Sequence, residues 1–149
     1  MMFLSTIALS SVAAHAQDYT LAVKAKIPFA FTAGKTQFSP GTYVFVPTEG
    51  VSPTLDVQNP KEKTHEMVLA EATKENMGKP MKPKLVFDRI GDKDFLRQVW
   101  IEQKGYSIEQ SSNETSMEQR GLKPESYNII CRYIQERTEK AAEIAAHIR

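Results

Sequence analysis

Between Lys84 and Ile101 the chain reads KLVFDRIGDKDFLRQVWI, two apolar runs on either side of Gly91-Asp92-Lys93-Asp94. Leu85-Val86-Phe87 forms the first run. Phe95 to Ile101, with the single tryptophan Trp100, forms the second. A short turn between two such runs predicts a β-hairpin. The expected fold class is therefore mainly β: a small antiparallel β-sandwich or barrel. Its expected core centres on Leu85, Phe87, Phe95, Val99 and Trp100. The hairpin carries no chemistry of its own.

Other segments support the same class. Tyr19 to Phe31 alternates Leu21, Val23, Ala25 and Ile27 against Lys24 and Lys26, the period of a half-buried strand. Pro28 lacks an N–H and belongs at an edge or bulge. Ala33-Gly34-Lys35 and Ser39-Pro40-Gly41 read as turns. Thr42 to Val46 is aromatic and β-branched, as strands prefer, and Pro47 to Pro53 is expected to end it. Thr54 to Gln58 reads as a short strand closed by Asn59-Pro60. Lys61 to Asn76 contains good helix formers, but as a helix it has a poor apolar stripe. We read a strand over about Glu66 to Ala72. Gly78 to Pro83 reads as an extended loop, because residues before proline avoid the helical region. Lys104-Gly105 turns the chain, and Tyr106 to Ile108 adds a short strand.

The two ends depart from this pattern. Met1 to Ala13 is apolar or small and uncharged, followed by Ala14-His15-Ala16. That resembles the apolar region and small-x-small cleavage site of a secretory signal peptide, although no Lys or Arg precedes it. Cleavage is expected after Ala16. The run is too short for a membrane span, which needs about 20 residues. Near the other end, Ser111 to Arg120 is polar, and Pro124 opens a helical pattern. Tyr127, Ile130, Ile134, Ala141, Ile144 and Ile148 recur at steps of three, four or seven, a one-sided apolar stripe. The expected organisation is a signal peptide at 1–16, a β-domain at 17–110, a polar linker at 111–123 and a C-terminal α-helix at 124–149. That helix would pack on the sheet or mediate self-association.

Residue types that could support catalysis are sparse. The net charge of +1 gives no basic surface for nucleic acid. Cys131 stands alone, so no intrachain disulfide forms, and it reads as a small packed residue. His15 leaves with the leader and His147 lies at the far C-terminus, which leaves His65 in the body. No GxSxG turn presents a serine to it. His65-Glu66 starts like HExxH, but Leu69 occupies the second histidine position. Asp88, Asp92 and Asp94 cluster at the hairpin turn and are weak candidates for calcium oxygens; aspartate also favours turns for its own reasons. No cofactor and no catalytic residue is expected.

The order of these motifs resembles a family of small exported proteins of unknown function abundant in acidobacterial genomes. The shared residues are Ile27-Pro28-Phe29-Ala30-Phe31, Gly34, Pro40-Gly41-Thr42-Tyr43, Lys82-Pro83-Lys84-Leu85-Val86-Phe87-Asp88-Arg89, Gly91-Asp92, Phe95-Leu96 and Val99-Trp100. The resemblance runs from the leader to about Glu118. It implies a small β-sandwich or barrel behind a signal peptide, with no activity to carry over. The chain departs from the pattern at Asp88, where the family implies histidine, and after Gly121, where a longer helix is expected.

The function expected from all this is a non-enzymatic exported β-domain, periplasmic or extracellular. It would bind or scaffold an unknown protein or envelope component, with no membrane span once mature. A small-ligand carrier with its pocket in a barrel mouth is the alternative, followed by a small hydrolase with an acid pair. An exposed stripe on the C-terminal helix would point to a dimer or partner.

Overall fold

The computed structural model describes residues 19–48, 53–73 and 82–137. The leader at 1–16 and the end of the expected C-terminal helix, with Ala141, Ile144 and Ile148, lie outside the described residues. Among those residues the protein is mainly β, with eleven strands in a mixed, mostly antiparallel sheet and one short helix.

Most strands up to residue 108 follow the sequence signals. The strands are β1 (Tyr19–Ile27), β2 (Phe31–Ala33), β3 (Thr36–Phe38), β4 (Gly41–Thr48), β5 (Thr54–Asn59) and β6 (Thr64–Thr73). Then come β7 (Lys84–Ile90), β8 (Lys93–Ile101) and β9 (Lys104–Ile108). The run from Tyr19 does not continue unbroken to Phe31: it breaks after Ile27 and resumes in the short pair β2 and β3 around Gly34. The chain turns at Glu102-Gln103 rather than at Lys104-Gly105, which begin β9, because Glu102 takes the left-handed φ +56° and leaves Gly105 free to pair with Trp100. The ambiguous segment is the strand β6, where β5 offers a partner from Thr54↔Leu69 to Asn59↔Thr64. Pro47 does not end β4 as expected; the strand continues to Thr48, and Pro47 is buried opposite Leu55. The hairpin forms with a two-residue turn, Gly91-Asp92, and Gly91 takes φ +63°, a conformation costly for other residues.

The C-terminal region corrects the expectation. Residues 111–123 are not merely a linker: α1 (Ser112–Gln119) forms there. Residues 124–137 are not the start of a helix but β10 (Glu125–Ile130) and β11 (Arg132–Arg137). The helical stripe through Tyr127, Ile130 and Ile134 is real, yet so is a strand signal in Tyr127, Ile129, Ile130, Tyr133 and Ile134. β-branched and aromatic residues favour the pleated form when neighbours are present. β7 and β1 supply those neighbours.

The main strand path is β10-β7-β8-β9-β6-β5-β4-β1-β11; off it, β2 pairs with β8 and β3 pairs with β2. Every pairing is antiparallel except the single parallel bridge Thr32↔Phe95. Two strands change partners. β6 pairs with β5 up to Leu69 and with β9 from Ala70 onward. β10 pairs with β7 up to Ile130, and β11 pairs with β1 from Arg132 onward, with only Cys131 between them. The two terminal strands of the path are thus consecutive in the chain.

One contiguous core joins Val23, Ile27, Phe45, Leu55 and Val57 from one set of strands with Leu85, Phe87, Leu96, Val99 and Tyr106 from the other. Phe87 anchors it. Phe29 and Phe31 meet the Phe87 ring edge-on at 5.3 and 5.6 Å, and Tyr127 stacks on it at 5.7 Å. Such ring pairs add about 0.5–1.5 kcal/mol each beyond the area they bury. Phe95 is buried but stands apart from this cluster, opposite Asp88 on the other face. Trp100 is not a core residue. It is half-buried on the outer face, where its Nε1 donates to Gln98 Oε1 at 3.1 Å and Lys84 Nζ lies 5.9 Å from its ring.

Candidate functional site

Among the described residues, three of the ion pairs gather around the hairpin, and the sheet explains why they meet. β7 and β8 pair Arg89 with Asp94 and Asp88 with Phe95, so alternate residues point to opposite faces. On one face, Asp94 is buried at 6% exposure. It accepts from Arg89 Nε at 3.0 Å and Arg89 Nη2 at 3.1 Å, and from the Tyr127 hydroxyl at 2.6 Å. Burial, then the hydrogen bond to Asp94 and its charge, push the Tyr127 phenol far above its ordinary range. Tyr127 therefore stays protonated and keeps donating.

The other face is built around a β-bulge. The register shifts between Val86 and Phe87, which leaves Arg97 of β8 without a direct partner on β7. A bulge re-aims its side chain, and Arg97 reaches two acids: Asp88 Oδ2 at 3.4 Å and Glu114 Oε1 at 3.4 Å. Ser126 of β10 also donates to Asp88. Glu114 is 2% exposed. It closes a capping box on α1: Ser111 N donates to Glu114 Oε2 at 2.8 Å, and Glu114 N donates to Ser111 Oγ at 3.2 Å. Burial pushes the Glu114 carboxyl above the usual glutamate range, against the pull of the Ser111 backbone and Arg97.

The three aspartates singled out from the sequence are therefore not one site. Asp88 and Asp94 face opposite ways and are each held by an arginine, while Asp92 sits exposed in the turn. Among the described residues, no three His, Cys, Asp or Glu side chains are grouped to hold a metal. His65 lies on the outer face with its ring 64% exposed, its Nδ1 3.2 Å from Asp56 Oδ1. Asp56 also accepts from Gln58 Nε2 at 2.9 Å. Cys131 is buried at the β10–β11 junction, and burial pushes its thiol up to about 12, which leaves it a poor nucleophile at neutral pH.

A second region was not visible in the sequence. At the point where β6 leaves β5 for β9, the two partner strands diverge and a cleft of about 380 Å³ opens. Pro53, Leu69, Ala70, Glu71, Ser107, Ile108 and Glu109 line it. The Ala70 N–H donates to Pro53 O at 3.2 Å and holds the corner together. Leu69 is 61% exposed and Met67, two residues back on the same face, is 51% exposed. The signal was present in the alternation of His65-Glu66-Met67-Val68-Leu69-Ala70, because a strand with Val68 and Ala70 inside must turn Met67 and Leu69 outward. What the sequence lacked was a sign that β6 changes partner after Leu69 and opens a cleft beside these side chains. No helix among the described residues is long and apolar enough to cross a membrane.

Comparison with known protein families, curated proteins and solved structures gives no match for this chain.

Proposed function

We propose that this chain is an exported, non-enzymatic β-domain that binds or scaffolds a protein at the cell envelope, periplasmic or extracellular. The observation that carries the reading is the pair Met67 and Leu69, large apolar side chains left in solvent beside an open cleft. Exposed apolar surface next to a concavity is the usual mark of a binding face. The charged groups of the hairpin support it from the other side: they satisfy one another and hold strands and helix in place.

Export is supported by the apolar opening and Ala14-His15-Ala16, and by the resemblance to small exported β-rich proteins. In architecture we read the sheet as a small sandwich or barrel. The support is that its two terminal strands are consecutive through Cys131 and that β6 is shared between both halves.

A photo-crosslinking residue at Met67, expressed in an exporting host, tests the reading. The expected product starts at Gln17 and crosslinks to an envelope protein. A processed chain that forms no adduct at all would remove the binding role. The cleft's size also suits a small molecule, and a carrier would reveal itself by a bound compound in native mass spectra of protein from the host.

A further inference from the structure

The two corners of the sheet, where strands change partners, expose the two most accessible large apolar residues among the described residues. Leu69 stands at the β6 corner at 61% exposure, and Ile130 stands at the β10–β11 corner at 63%. Both are the last residue before the partner changes. Their surroundings carry opposite charge. The Leu69 cleft is rimmed by the exposed acids Glu71 and Glu109. Ile130 lies directly opposite Lys84, and the next residue on its face, Arg132, lies opposite Lys24. One corner is concave and acidic; the other presents a protruding aliphatic residue among cations. They are separate sites, built from different strands.

We infer that copies of this chain associate head to tail, with the Ile130 corner of one seated in the Leu69 cleft of the next. The proposal rests on the binding role given above and names its partner as a second copy. The complementary rims set the orientation, since opposing charges favour this docking and like charges disfavour cleft against cleft. A contact between two different patches need not close on itself, so it builds chains rather than a fixed dimer. That suits a scaffold.

Sedimentation of the purified chain at low salt tests this. The expected result is a mass that grows past the dimer with concentration and falls back in about 1 M salt, where charge attraction reaches only ~3 Å. Leu69→Asp and Ile130→Asp should each abolish growth while leaving the circular-dichroism spectrum unchanged, because both side chains are exposed. Mixed in equal amounts, the two variants should form dimers and stop there, since each retains one intact half of the contact. If either variant misfolds, Glu71→Lys with Glu109→Lys replaces the first and Ile130→Ser with Arg132→Gln replaces the second, with the same outcome expected.

A wild-type chain that stays monomeric to about 1 mM, where even a contact worth ~4 kcal/mol would show, overturns the inference. So does a mixture of variants that fails to pair, or a monomer whose cleft takes up a foreign segment. An envelope adduct at Met67 alongside a monomeric purified chain would sink the self-association and leave the binding role standing.

Discussion

The closed end of the β7–β8 hairpin and the β6 corner solve opposite problems. At the hairpin, buried acids are kept inside by supplying each with partners: Asp94 with Arg89 and Tyr127, Glu114 with Arg97 and the Ser111 cap. At the corner, the large apolar side chains of Met67 and Leu69 are more than half exposed. Polar groups satisfied inside are structure, because breaking them costs stability. Apolar groups left outside contribute little to folding, so their presence points to something that covers them. The difference separates residues that build this protein from residues available to use it.

The sharpest way to break that contrast is at Asp94. Asp94→Ala removes the acceptor of three hydrogen bonds and leaves the Tyr127 hydroxyl without its partner. A loss of about 3 kcal/mol is expected in urea unfolding, in the range for disrupting buried charged pairs but reduced because Arg89 is half exposed. A loss below ~1 kcal/mol would show that the cluster is not structural and reopen it as a site.

Trp100→Ala should cost about 1 kcal/mol, well short of the ~3–5 for a fully buried aromatic. A larger loss would return Trp100 to the core.

Glu114 gives a test in pH. Its folded carboxyl binds its proton more tightly than the unfolded one. The folded state therefore carries more protons over that window, and stability falls as pH rises from the ordinary glutamate value of about 4.3 upward. Glu114→Gln should remove that fall. The variant should gain on the wild type as pH rises across the window, read from urea midpoints at several pH values. An unchanged pH profile would mean that Arg97 and the cap fully offset the burial.

The smallest effect belongs to the corner. Leu69→Ser and Met67→Ser should shift stability by no more than ~0.5 kcal/mol, as surface changes do. A drop above ~1.5 kcal/mol would make them core residues and erase the contrast.

Much of the fold was legible because it is written locally. Alternation marked β1 and β6, and Gly91-Asp92 marked the hairpin turn. The helix α1 was missed: its capping box, Ser111-x-x-Glu114, stands in the sequence, but the polar composition around it reads as a linker. The site was less legible. Asp88 and Asp94 look like one cluster along the chain, yet strand geometry sends them to opposite faces. Nothing near Arg97 in sequence announces Glu114, 17 residues away. The bulge at Val86/Phe87 that joins them is a property of two paired strands, not of one.

The order of residues alone settled the β-rich class, the buried identities of Leu85, Phe87 and Val99 and the hairpin, because each depends on neighbours within a few positions. The tertiary structure alone decided residues 124–137. Their Tyr and Ile spacing satisfies helix and strand alike, and local propensities differ by less than the hydrogen bonds that β7 and β1 offer. It also decided which apolar side chains stay exposed, since a corner exists only where two strands part.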